Sequence, residues 1–114
     1  MLKKNQRLAK SADVKTVISR GKGFFSPYFN IKYFISSSGF KATVVVSTKV
    51  DKRAVHRNRI KRQLREILRL NVGGLKPGKY AIMAKPAAAK LANEHLRQEF
   101  LKLLVGSRLL NPIL

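Results

Sequence analysis

The residues best suited to chemistry in this sequence are cations concentrated in segment 52–69. This segment, KRAVHRNRIKRQLREILR, holds six arginines and two lysines in eighteen residues, and Glu66 is its single acid. The planar guanidinium group of arginine can donate two parallel hydrogen bonds to one phosphate. These residue types therefore point to a polyanionic partner with a phosphate backbone, and nucleic acid is the first candidate.

On a helix, most of these cations would share one face. With about 100° per residue and Ile60 as the origin, the apolar residues fall between roughly −20° and 80°. Five polar residues fall between roughly 100° and 200°, namely Lys61, Arg65, Asn58, Arg69 and Arg62. Lys61 and Arg65 are a like-charge pair at i and i+4, which weakens an isolated helix. An ordinary solvated face is the alternative, but this repulsion favours phosphate binding.

The acidic residues are too few and too scattered for a nuclease active site. Phosphodiester hydrolysis usually needs carboxylates that hold divalent metals, or a positioned acid and base. The five acids form no close D-x-D or H-x-x-E cluster: Asp13, Asp51, Glu66, Glu94 and Glu99. Glu94 and His95 diverge on a helix, so both are expected at the surface, and His56 is expected to meet RNA or solvent. We therefore predict no metal, cofactor or catalytic residue in the protein itself.

A second surface with suitable chemistry follows from alternation along one predicted strand. Phe29, Ile31, Tyr33 and Ile35 point one way and are predicted to face the core. The other face combines rings, an amide and a cation, which suits single-stranded RNA: Tyr28, Asn30, Lys32 and Phe34. The alternative is that the first helix covers this face. Phe24 and Phe25 could belong to either surface.

Two layers of secondary structure must position these residues. The predicted elements are a helix over 11–20, strands over 24–35 and 40–47, a helix over 52–70, a strand over 79–84 and a helix from Pro86 to Gly106. In the last helix the predicted apolar stripe is Ala89, Ala92, Leu96, Phe100, Leu103 and Leu104. This order of helix, two or three strands, helix, strand and helix predicts an α+β fold, a sandwich of helices on a small mixed sheet.

Composition sets the bounds for the whole chain. Its 114 residues carry 25 Lys and Arg against 5 Asp and Glu, for a net charge of +20, and it has no cysteine. We predict one RNA-binding domain over 1–114, with a basic arm over 1–9 and a flexible tail over 107–114. No apolar run is long enough for a membrane span and no signal-type region follows the basic start, so we expect a cytoplasmic protein without a membrane partner.

Specific residues resemble one family. Arg57-Asn58-Arg59, followed by Ile60, Lys61-Arg62 and Arg65-Glu66, resembles the RNR signature of the bacterial ribonuclease P protein subunit. The segments around this helix are similar to the same family: Leu2-Lys3-Lys4 through Arg7-Leu8, Asp13, Arg20-Gly21, Val46 to Val50, Ala54 and Tyr80 to Pro86. The resemblance therefore extends over nearly the whole chain.

The resemblance implies a fold and a set of partners. The fold would be αβββαβα with a left-handed β-α-β crossover. The protein would act with a catalytic RNA that needs Mg²⁺ to remove the 5′ leader of precursor tRNA, without an obligate protein partner. Residues implied to bind the catalytic RNA are Arg53, Arg57, Asn58, Arg59, Lys61, Arg62, Arg65 and Arg69. Those implied to line the leader cleft, between the first helix and the sheet, are Val14, Ile18, Tyr28, Asn30, Lys32, Phe34 and Lys49.

Two departures concern that cleft. The family commonly has phenylalanines where this chain has Val14 and Ile18, so these positions keep an apolar surface but provide no ring for stacking. Thr43 and Thr48 also replace a common glycine and a frequent lysine.

Two other classes of function stay open from composition alone. One is a small ribosomal protein or RNA chaperone, and the other is a basic amphipathic helix at anionic membranes.

Overall fold

The fold is that predicted, with seven main elements in the order αβββαβα. The computed structural model describes residues 6–8, 11–36 and 39–111. The elements are α1 (Ser11–Arg20), β1 (Lys22–Phe25), β2 (Phe29–Ile35), β3 (Phe40–Val45), α2 (Ala54–Asn71), β4 (Gly78–Ala84) and α3 (Asn93–Gly106). Short 3-10 helices follow α2 and β4, at Val72–Gly74 and Pro86–Lys90.

The four strands form one mixed sheet in the order β1-β2-β4-β3. β2 pairs antiparallel with both β1 and β4, while β3 and β4 are parallel. Parallel neighbours need a crossover connection, and α2 supplies it between β3 and β4. The sheet therefore contains the β-α-β unit that the family resemblance implies.

The main core lies between one face of the sheet and two helices. It contains inward residues of the strands such as Phe29, Ile31 and Ile82, together with the apolar faces of α2 and α3. Ile60, Leu64, Ile67 and Leu68 of α2 are all buried, as their spacing predicts. In α3 the buried residues are Leu96, Phe100 and Leu104, so this part of the predicted stripe is also confirmed.

Helix α1 covers part of the other face. Val17 and Ala81 of β4 are fully buried there together with Leu8, and Val14 and Phe34 pack against them. Asp13 and Lys79 form an ion pair of 3.7 Å at the N-terminal end of this contact. Because a side chain at Gly21 would lie 2.3 Å from the carbonyl oxygen of Val17, glycine is required where α1 ends.

The predicted strand 24–35 is two strands. A turn at Ser26 divides it, because the hydroxyl oxygen of Ser26 accepts hydrogen bonds from the backbone N–H groups of Tyr28 (3.2 Å) and Phe29 (3.0 Å). The prediction that Ile35 is a core residue is wrong, since it is 76% exposed at the far end of β2. The prediction that the last helix begins at Pro86 is also wrong. The backbone is extended at Leu91 and Ala92, so α3 begins only at Asn93.

Both predicted terminal segments contribute to the core where they are described. In the described part of the predicted tail, the chain after Ser107 returns to the segment between α2 and β4: Leu109 and Leu110 are buried, and Leu110 bridges to Leu75. Burial of these two apolar side chains at the end of the core stabilises the packing of this segment. In the predicted arm, Leu8 is buried and its N–H donates to the carbonyl of Ala42 at 2.8 Å. Residues 1–5, 9 and 112–114 of the predicted arm and tail lie outside the described residues.

Candidate RNA interface

One face of α2 gathers four of the predicted RNA-binding residues. Asn58, Lys61, Arg62 and Arg65 line a surface depression of about 210 Å³, and we call this group the basic face. Their side chains lie together because they are spaced by three and four residues on a helix whose apolar face is buried. The basic face is therefore held rigidly by the core beneath it, and it combines three cations with one amide.

Four other arginines of the predicted set have partners within the protein. The guanidinium of Arg57 donates to the carbonyls of Asp51 (2.9 Å) and Lys52 (2.8 Å). Arg53 lies 3.3 Å from the Asp51 carboxylate. Arg59 donates to the side-chain oxygen of Asn93 on α3, and Arg69 pairs with Glu66. The contacts of Arg53 and Arg57 hold the loop before α2, that of Arg59 joins α2 to α3, and that of Arg69 lies within α2.

The two acids near these arginines are kept ionised by them. A hydrogen bond from Arg69 lowers the pKa of Glu66 to about 2. The pKa of Asp51 is also lowered, chiefly because the backbone N–H and then the side chain of Arg53 donate to it. His56 lies 3.4 Å from the same carboxylate. Both carboxylates are therefore balanced by neighbouring cations, and neither belongs to the residues that line the basic face.

The second candidate surface is the part of the sheet beside α1. Cross-strand register places Gly23, Lys32, Ala81 and Thr43 in one row. The next row, farther from α1, contains Phe25, Asn30, Met83 and Val45. Ala81 is fully buried beneath α1, whereas Phe25 is 61% exposed. We call the surface formed by Ile18 of α1 and the exposed residues of these rows the cleft.

The structure places some of the residues predicted to line this cleft on its surface and others away from it. Asn30 and Lys32 lie on its floor, and Ile18 is exposed at its α1 side. Phe34 is on the same face of the sheet but packs beneath α1, and Val14 of α1 packs against the same buried cluster. Tyr28 is a correction: it lies in the turn before β2 and packs against the main core, so alternation does not extend to it. Lys49 is exposed in the turn that follows β3.

Two residues of the cleft were not assigned to it from the sequence. Phe25 lies directly opposite Asn30, and Gly23 lies directly opposite Lys32. The ammonium of Lys32 is 5.4 Å from the centre of the Phe25 ring, which is a cation–π distance. The side-chain oxygen of Asn30 is buried without a hydrogen-bond partner, an uncommon situation for a polar group. Only the register of β1 on β2 identifies this grouping, since the turn between them interrupts the sequence pattern.

The described residues contain no cluster of three His, Cys, Asp or Glu side chains that could hold a metal ion. Glu94 and His95 are both exposed, as predicted. Across the described ranges, the longest and most apolar helices also fall short of what a membrane span requires. What the two surfaces offer is therefore cations, an aromatic ring and amide groups, which are groups for binding phosphates and bases.

Comparison with known proteins agrees with this chemistry. A profile of the Ribonuclease P family matches residues 2–107. The ribonuclease P protein component of Xanthomonas oryzae pv. oryzae is 37% identical over 105 residues, which cover 87% of this chain and 72% of that protein. The corresponding protein of Xylella fastidiosa is 32% identical over 112 residues, covering 96% of this chain and 83% of that protein.

Solved structures show the same fold. The RNase P protein of Staphylococcus aureus superposes with a TM-score of 0.88 at 21% identity, covering 93% of this chain and 98% of that one. The RNase P protein of Thermotoga maritima superposes with a TM-score of 0.76 at 25% identity, covering 86% and 94%. With a family profile that spans nearly all of its length and relatives above 30% identity, this chain belongs to the ribonuclease P protein family.

Proposed function

We propose that this chain is the protein subunit of a ribonuclease P ribonucleoprotein, in which it binds a catalytic RNA and the 5′ leader of precursor tRNA. The observation that carries the proposal is the basic face, which presents Lys61, Arg62 and Arg65 together on a helix anchored in the core. The relatives from Xanthomonas oryzae and Xylella fastidiosa are both ribonuclease P protein components, which supports the same assignment.

The basic face suits the catalytic RNA because it recognises a folded backbone rather than a base sequence. Three cations on a rigid helix match closely spaced phosphates, and each contact releases counterions from the RNA. Asn58 adds a neutral donor and acceptor at the same depression. Arg57 and Arg59 would extend this surface once RNA competes for them, since the described oxygens to which they donate are uncharged.

The cleft suits a single strand such as the leader. Its floor is an open sheet surface that carries a cation and an amide, Lys32 and Asn30, and Ile18 provides an apolar wall. Splayed bases can stack or pack on such a surface while the ammonium group meets the backbone. We propose that Lys49, in the exposed turn after β3, contacts the same strand.

In this proposal the RNA subunit carries out the hydrolysis with Mg²⁺. The protein contributes affinity and position, since it offers cations and amides at its two surfaces, and its carboxylates at Asp51 and Glu66 are engaged with arginines. Positioning can lower the barrier of a reaction even when the protein supplies no reacting group. The gain from the protein should therefore be largest when the RNA is short of metal ions.

The test is reconstitution with a bacterial ribonuclease P RNA at low magnesium concentration, scored by removal of the 5′ leader. The full-length protein should raise the cleavage rate and the affinity for precursor tRNA. The matched control is the triple variant K61A/R62A/R65A, which should fold and yet fail to stimulate. No stimulation by the wild-type protein, or co-purification with ribosomal RNA instead of ribonuclease P RNA, would contradict the proposal and favour a ribosomal protein or chaperone.

A further inference from the structure

We infer that Phe25 is the stacking platform for a base of the bound leader, an inference that rests on the proposed function. Phe25 ends β1, an edge strand of the sheet, and its side chain points to the same face as Asn30 and Lys32. Its neighbour Phe24 points the other way and packs against the main core. Phe24 therefore contributes to the core, whereas Phe25 is available for binding.

Phe25 is the aromatic residue that the cleft presents to solvent. Val14 and Ile18 of α1 have no ring, and Phe34 is packed against Val17 and Ala81 beneath the helix. Phe25 is 61% exposed, while the ring of Phe24 is partly buried. Stacking needs an accessible π-face, so among these residues only Phe25 can supply one without moving α1.

The platform is held in place before any ligand binds. A β-carbon added at Gly23 would lie 2.6 Å from Cζ of Phe25 and 3.1 Å from Nζ of Lys32, so the ring folds back over this glycine. The ammonium of Lys32 lies 5.4 Å from the ring centre. The turn after Phe25 is also fixed, because Lys85 donates to the carbonyl of Ser26 at 2.7 Å. A ring restrained in this way loses little entropy when a base stacks on it.

The position also fits a strand that lies in the cleft. Phe25 lies four residues after Gly21, which directly follows α1, and this is about 13 Å of extended chain. A base stacked on the exposed ring would lie on the face of the sheet that carries α1 and its exposed Ile18. Lys32 lies next to the ring and is placed to meet the phosphate of the same nucleotide. Phe25 also borders a depression toward α3 that both Glu99 and Lys102 line, and this mixed charge does not favour RNA.

The experiment uses the holoenzyme reconstituted with a bacterial ribonuclease P RNA and compares wild type with F25A and F25L. Affinity is measured for a precursor tRNA with a leader of several nucleotides and for the same tRNA with one leader nucleotide. F25A should lose on the order of ten-fold in affinity for the long leader only. F25L should lose nearly as much because it keeps the apolar surface without the ring, and F25W should bind like wild type.

A scan of abasic leader positions identifies the stacked base. Removing one base should weaken binding to wild type on the order of ten-fold, and removing the same base should cost F25A nothing further. The matched control is I35A, which truncates another strongly exposed apolar side chain on the opposite face of the sheet. Its leader affinity should equal that of wild type, and thermal unfolding should show that all four variants fold.

The outcomes separate the two proposals. If wild type does not distinguish the long leader from the short one, leader binding in the proposed function is overturned, and the assignment of Phe25 with it. If wild type distinguishes the two leaders and F25A distinguishes them equally, only the assignment of Phe25 is overturned. The same holds if every abasic position lowers the affinity of F25A as much as it lowers that of wild type.

Discussion

At the scale of single residues, Arg57 and Arg65 show two uses of one residue type on one helix. Arg57 binds the backbone carbonyls of Asp51 and Lys52, whereas Arg65 lines the basic face. A hydrogen bond from a charged group that is lost on truncation costs about 1.5–3 kcal/mol when buried, and less at a partly exposed site. The free energy of unfolding should therefore depend on Arg57 more than on Arg65.

We predict that R57A destabilises the free protein by about 1 kcal/mol and R65A by less than about 0.5 kcal/mol. Both should weaken assembly with the catalytic RNA. R65A should also make the dependence of log affinity on log salt concentration less steep, by the amount expected for the loss of about one phosphate contact. Urea unfolding measures the first effect and a salt titration of RNA binding the second. K102A, on α3, is the matched control for a surface cation, and an unchanged slope for R65A would contradict its contact with phosphate.

The pair formed by Glu66 and Arg69 gives a prediction about pH. The pKa of Glu66 falls from 4.5 to about 2 on folding, so its contribution to stability is present above pH 4.5 and disappears as the pH falls toward 2. Over this range wild type should lose more stability than E66Q, whose amide does not titrate. Melting temperatures measured from pH 7 to pH 2 test this. Parallel curves for the two proteins would show that the pair contributes nothing, as many surface pairs do.

Residue spacing predicted which α2 side chains share a face but could not predict their partners. The basic face follows from helical geometry alone, so Asn58, Lys61, Arg62 and Arg65 were all foreseen. The contact of Arg59 with Asn93 joins residues 34 positions apart, and no local pattern encodes it. Which arginines bind within the protein and which are available to RNA therefore depends on how the helices pack. Residue spacing along one helix does not reveal that packing.

At the scale of elements, the turn at Ser26 determines which side chains enter the cleft. The alternating sequence pattern continues through the turn, so it placed Tyr28 on the binding face and did not decide which face Phe25 occupies. Pairing β1 with β2 reverses the chain and places Phe25 opposite Asn30. The break before α3 was missed for a related reason, since an alanine-rich segment has high helix propensity and the extended backbone at Leu91 and Ala92 overrides it.

The glycine in β1 provides a test of this element. In G23A the new methyl group occupies space now filled by the tip of the Phe25 ring and lies close to the Lys32 ammonium, so the ring must leave its present position over β1. Because the displaced atoms are the tip of an exposed side chain and not backbone, the protein should still fold, with a melting temperature close to that of wild type. Affinity for a long leader should fall toward that of F25A.

The matched control for this change is G73A, since a β-carbon at Gly73 has no heavy atom within 4 Å. Its leader affinity and its melting temperature should both stay at the wild-type values. If G23A binds the long leader as tightly as G73A does, the ring's position over β1 is not required for binding.

At the scale of the whole molecule, the net charge of +20 opposes folding through self-repulsion. Screening weakens this repulsion, so the melting temperature of the free protein should rise with salt through the range where binding to RNA weakens. Thermal unfolding between low and moderate sodium chloride concentration measures the effect. A melting temperature that falls with salt would indicate that attractive ion pairs, rather than repulsion, dominate the free protein.

The N-terminal contact with β3 has a consequence for how copies of the protein behave beside one another. β3 is at the edge of the sheet, and its sequence FKATVV is rich in β-branched and apolar residues. An edge of this kind is a template for pairing with another chain. Arg7 and Leu8 occupy it instead, through a parallel bridge to Ala42 in the middle of the strand. The same short segment that packs under α1 therefore also occupies part of the edge at which a second copy could otherwise add a strand.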